Sequence, residues 1–139
     1  MGIELYWDNS AQTVMLCEFG RQWTWDDLDT VLIKIKKITD KAAPQIIAAI
    51  VDLRAGGHLP GGSIFSPGAV NQAKKILRMG EGATGPVVVV GGGTLIKAAY
   101  NLMRGIDPNA VSNVSFASTL DEARDLLKQQ HYEYVPASK

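Results

Sequence analysis

A chain of 139 residues, with 14 basic and 14 acidic side chains and one cysteine, is sized for a single domain with its own core. The charge balance argues against a protein built mainly to bind nucleic acid, and the lone Cys17 excludes an intramolecular disulfide framework. With 46% apolar and 20% charged residues the composition is that of a folded globular chain, and no apolar run approaches the ~20 residues of a membrane span.

The first five residues, Met1-Gly2-Ile3-Glu4-Leu5, lack the basic and apolar regions of a signal peptide, so a cytoplasmic, reduced setting is expected. Ile3 to Trp7 alternates as a strand, with Ile3, Leu5 and Trp7 on one face and Glu4 and Tyr6 on the other. Asp8 to Ala11 reads as a turn. Thr13 to Phe19 is a second strand, in which Val14, Leu16 and Glu18 oppose Thr13, Met15, Cys17 and Phe19. So short a connection makes the two an antiparallel hairpin, with Cys17 a buried small hydrophobe.

Trp23-Thr24-Trp25-Asp26-Asp27-Leu28 is the clearest helix start. Thr24 is the expected N-cap, Asp27 returns its bond as in a capping box, and Trp23 and Leu28 form a hydrophobic staple. Leu28, Val31, Leu32, Ile35 and Ile38 follow at helical spacing, which predicts a helix to about Asp40; Lys34, Lys36 and Lys37 read as its solvated face. Gln45 to Leu53 is an apolar run rich in β-branched residues, expected to be a central strand buried on both faces. The loop from Arg54 to Ser63 is glycine-rich. Ser66-Pro67 then starts a helix with the stripe Ala69, Val70, Ala73, Ile76 and Leu77, ended by Gly80 to Gly85. Pro86 to Val90 is a further buried strand. Gly91-Gly92-Gly93-Thr94 turns into a helix carrying Leu95, Ile96, Ala98, Ala99, Leu102 and Met103 and stopping near Gly105. Val114 to Ala117 is a last strand. Ser118-Thr119-Leu120-Asp121-Glu122 starts a final helix with Ala123, Leu126 and Leu127 inside, and the tail from Tyr132 is expected to pack loosely.

The predicted architecture is therefore α/β in the order ββαβαβαβα: a mixed, mostly parallel sheet with an opening antiparallel hairpin, right-handed crossovers and four helices. One domain spans residues 1–132, and 133–139 is a C-terminal tail.

Three stretches carry a family resemblance. They are the strand end Ile50-Val51-Asp52-Leu53-Arg54 with its loop into Ser66-Pro67, the helix start Trp23 to Leu28, and the block Val114 to Ala123. In this order they resemble the sulfate transporter and anti-sigma factor antagonist (STAS) fold over nearly the whole chain, and small bacterial STAS-like proteins in particular. In the antagonists, the loop after this strand carries Asp-Ser, then Ser or Thr, then Gly, and a partner kinase phosphorylates that serine. Here Asp52 matches the earlier acid, but Arg54-Ala55-Gly56-Gly57 has no hydroxyl, and Ser63 and Ser66 come later. The resemblance implies a non-enzymatic regulatory or interaction module. It would bind a protein partner or small ligand through Asp52, Arg54, His58, Ser63 and Ser66, with Ser63 and Ser66 as the positions a kinase would reach, and with homodimerisation as one form of partnership.

The alternative reading is a small-molecule binder, for a lipid-like ligand or a nucleotide. Gly92, Gly93 and Thr94 could offer helix-terminal N–H groups to an anion, although neither a P-loop lysine nor a third Rossmann glycine follows. His58 and His131 have no further metal ligands at suitable spacing. His58 with Asp52 lacks a nucleophile and an orienting group, so no catalytic residue, metal or cofactor is expected. Arg54, at the strand end beside a glycine-rich loop, is the cation best placed for an anion.

Overall fold

The computed structural model describes residues 2–55, 85–91, 93–106 and 108–132. Their strands are β1 (Ile3–Trp7), β2 (Val14–Phe19), β3 (Ala48–Leu53), β4 (Val87–Gly91) and β5 (Val114–Ala117). Their α-helices are α1 (Trp25–Ala42), α2 (Gly93–Ile106) and α3 (Leu120–Gln129), with one 3₁₀ turn over Pro108–Val111. The strands form a single mixed sheet in the order β1-β2-β3-β4-β5. The β1–β2 pair is antiparallel and the other three pairs are parallel. The helix expected after Ser66 lies outside the described residues, so three of the four expected helices are seen.

Alternation sorts the side chains into two cores. Met15, Cys17 and Phe19 of β2, Ala49, Val51 and Leu53 of β3, and Val87 and Val89 of β4 face α1 and α2, where Leu28, Val31, Ile35, Ile96 and Ala99 meet them. Val14, Leu16, Ala48, Ile50, Val88 and Val90 face α3, which contributes Ala123 and Leu127. The crossovers containing α1 and α2 advance the same way across the sheet on the same face, and so share one hand. Burial on both faces explains why β3 reads as an unbroken apolar run. It also pushes the Cys17 thiol pKa up, which makes Cys17 a packing residue rather than a reactive one.

Local signals account for the ends of the elements. Thr24 caps α1: its Oγ1 accepts from the Asp27 N–H at 3.1 Å, and Asp27 accepts in return from the Thr24 N–H at 3.0 Å. Trp23 and Leu28 are both buried in the same core, as a staple requires. Thr119 caps α3, its hydroxyl accepting from the Glu122 N–H at 3.0 Å, while Glu122 accepts from the N–H of Ser118, the residue before the cap. In the β1–β2 turn, the side-chain oxygen of buried Asn9 accepts from the Thr13 and Val14 N–H groups. Beside it, Asp8 receives a bidentate guanidinium from Arg124 at 2.8 and 3.1 Å, which ties α3 to the hairpin.

Four expectations need correction. The central strand starts at Ala48 rather than Gln45, because Ala42 to Gln45 form a turn in which the Gln45 N–H bonds the Ala42 carbonyl, and Ile46 is 58% exposed. α1 runs on to Ala42, past the expected end at Asp40. On α2 the inward stripe is Ile96, Ala99, Tyr100 and Met103; Ala98 and Leu102 sit too far round the helix and are exposed. Tyr132 is not loose: its ring packs on the α3-side core, and its N–H bonds the Leu127 carbonyl.

Candidate functional site

The parallel strands β2 to β5 point the same way, so their carboxyl ends gather at one edge of the sheet, where α/β folds place their sites. Asp52 and Arg54 stand at that edge. In a strand, residues two apart lie on one side, and the two form a bidentate pair. Arg54 Nε donates to Asp52 Oδ1 and Arg54 Nη2 to Oδ2, both at 2.9 Å, and the Arg54 backbone N–H adds a bond to Oδ1 at 3.0 Å. The Asp52 side chain is 5% exposed and that of Arg54 is 50% exposed. The carboxylate is thus buried and the guanidinium faces outward.

Burial alone would raise the Asp52 pKa. The Arg54 side-chain bond, its backbone N–H and its charge more than offset this and hold the carboxyl below its ordinary range. Asp52 in turn raises the Arg54 pKa. Asp52 is therefore an ionised acceptor whose two oxygens are committed to Arg54. It is not a base poised to take a proton.

The pair borders a cleft of about 510 Å³, with Glu18 and Phe19 at the end of β2, Arg21 in the turn after it and Ala55 beyond β3 completing its wall. That volume is in the range of small-ligand sites. Glu18 arrives through the parallel register, where it is the direct neighbour of Asp52. Among the described residues, the lining holds no hydroxyl, thiol or imidazole. A second cleft of about 410 Å³ lies at the same edge, between Gly91, Lys97, Phe116, Ser118 and Glu122.

Gly91 joins the edge to α2. It has φ +80°, and a Cβ there would lie 3.2 Å from both Cα and N of Arg54. Only glycine fits that conformation and that approach without strain. Gly91→Ala is expected to cost about 1–3 kcal/mol and to displace the backbone that carries Arg54. Urea unfolding checks the first effect, and the Arg54 side-chain resonances check the second. An unchanged midpoint would count against the close approach.

Of the residues expected at the site, Asp52 and Arg54 are brought together as described. Gly93 and Thr94 open α2. His58, Ser63, Ser66 and Gly92 lie outside the described residues. Glu18 and Arg21 were not anticipated, because only the β2–β3 register brings them beside Asp52. The Asp52–Arg54 pair did have a local signal, since an acid and a base two apart in a strand share a face. Among the described residues, no group of three His, Cys, Asp or Glu side chains could hold a metal ion. No helix there is long and apolar enough to cross a membrane. Set against known proteins, the chain matches no family model, no curated protein and no solved structure.

Proposed function

We propose that the chain is a non-enzymatic, STAS-like recognition module that engages a protein partner or small ligand through the carboxyl end of β3 and the loop after it. The observation that carries this reading is the Asp52–Arg54 pair: a buried carboxylate holds a half-exposed guanidinium in one orientation at the mouth of a cleft. Two of the guanidinium N–H groups are spent on Asp52, and its other donors face away from it. A planar donor fixed in this way recognises a carboxylate or phosphate with little ordering cost. The mixed five-stranded sheet with its opening hairpin supports the STAS-like part of the reading. The charged cleft lining favours a polar ligand over a lipid-like one.

Arg54→Lys keeps a cation for Asp52 but removes the fork. Immobilised wild-type protein and this variant are each incubated with host lysate, and partners are quantified by mass spectrometry, with Lys34→Ala as the surface control. Loss of roughly tenfold in a partner retained by the control is expected, as about 1.4 kcal/mol of binding energy implies. Equal recovery of every partner by all three proteins would remove the strand-end site.

A further inference from the structure

The cleft beside the Asp52–Arg54 pair is lined by both signs of charge, Glu18 and Asp52 against Arg21 and Arg54, so its described wall is formally neutral. The two acids are not equivalent. Both Asp52 oxygens are taken by Arg54. Glu18 is exposed and, among the described residues, forms no ion pair with any cation, Arg54 included. Register sets Glu18 directly opposite Asp52, so the two carboxylates share one face of the sheet and their Cα atoms stand one strand spacing apart, about 4.8 Å. On its other side Glu18 is opposite Glu4, which is also exposed. Like charges facing each other across paired strands are unfavourable, so a cation is favoured there. One side of the cleft therefore offers acceptor oxygens, and the neighbouring strand offers the Arg54 donors that Asp52 leaves open. Arg21 adds positive charge to the same wall and has an interaction of its own.

We propose that this cleft takes a small zwitterion of the α-amino acid class, its carboxylate on the Arg54 guanidinium and its ammonium group on Glu18. The inference rests on the strand-end recognition reading above and names a ligand for it. Arg54 turns back along its strand to Asp52, so its guanidinium lies beside the carboxylate that neighbours Glu18. The two groups open to a ligand are thus held close together, which suits a molecule whose own charges are attached to one carbon. An anion without an amine would meet the repulsion of Glu18 and Glu4, and an amine without a carboxylate would meet that of Arg54. Either would also displace water from a charge that it leaves unpaired, which is costly. A zwitterion pairs both groups and adds no net charge to a neutral wall. The bidentate fork fixes the carboxylate end, and the acid one strand away fixes the other, so the ligand is held in one direction across the strands.

Nuclear magnetic resonance titration of the wild type with each of the twenty standard amino acids tests this. At least one is expected to shift the Glu18 and Arg54 side-chain resonances together and saturably. The tightest of them is then compared with the same compound lacking its amino group and the same compound lacking its carboxylate, both expected to bind roughly tenfold or more weakly. Glu18→Gln keeps the shape of an exposed side chain and removes its charge. It should weaken the amino acid roughly tenfold and strengthen the deaminated acid, with circular dichroism unchanged. Equal binding of the amino acid and its deaminated acid, or indifference of both to Glu18→Gln, would overturn the proposal and leave Arg54 as a plain anion site. Saturable shifts with none of the twenty would overturn it as well, while the Arg54→Lys capture experiment decides the broader reading separately.

Discussion

Phe19→Ala lowers the unfolding free energy by about 3–5 kcal/mol, the usual cost of deleting a fully buried phenylalanine. Phe19 is the last residue of β2 and is 0% exposed. Its ring meets Trp23 edge-on at 4.9 Å, and Trp23 meets Trp25 the same way at 4.9 Å. This run of aromatic contacts joins the sheet to the first turn of α1, so the truncation opens a cavity and also loosens the residues around the Thr24 cap. Little can collapse into the space, because Trp23 is anchored by its other aromatic neighbour and the β2 backbone is paired on both sides. Urea unfolding followed by tryptophan fluorescence and by far-ultraviolet circular dichroism should give one shared, lowered midpoint with an unchanged slope. Phe19→Leu retains most of the apolar contact and should cost less than half as much. A loss below about 1 kcal/mol for the alanine variant would mean that this corner is not part of the cooperative core.

The parts of this fold that could be read from the sequence are those governed by neighbours along the chain. The Thr24 and Thr119 caps, the alternation in β2 and the buried run of β3 rest on bonds or periodicities spanning a few residues, and the structure reproduces them. The errors have local causes too. Ile46 is as apolar as its neighbours in the run, yet it lies between the Ala42–Gln45 turn and β3, where hydrophobicity alone carries no boundary. Leu102 has the hydrophobicity of a core residue but the wrong angular position on α2. What no local pattern holds is register. Glu18 reaches Asp52 only because β2 and β3 pair in parallel with those residues opposite, and Asp8 meets Arg124 across 116 positions of sequence. The site was legible as an acid and a base at a strand end, whereas its wall was written in the pairing of distant strands.

The same ion pair makes the second large prediction, and its dependence on pH distinguishes it from simple packing. At pH 7, Arg54→Ala should lower stability by about 2–4 kcal/mol, because it leaves a carboxylate that is 5% exposed without its guanidinium. In the wild-type fold, Arg54 holds the Asp52 pKa below its unfolded value of about 3.9, so the folded state resists protonation. The stability this contributes is present above that unfolded value and is lost as pH falls through the folded one. In the variant the opposing influences are no longer matched: burial persists and the stabilising cation is gone, so the folded pKa rises above the unfolded value. Protonation then favours the fold, and the variant gains stability from this group as the medium becomes acidic. The unfolded chain titrates alike in both proteins, so the gap between them should be widest near neutral pH and narrow as pH falls from the variant's raised folded pKa through the wild type's depressed one. Urea serves better than guanidinium for these titrations, since added salt would screen the half-exposed cation. Asp52→Asn supplies the control: it keeps the side-chain shape and removes the titration, so the site's share of the pH dependence should vanish. A deficit in Arg54→Ala of the same size at pH 7 and pH 3 would show that Arg54 acts through packing of its stem and not through the charge it lends to Asp52.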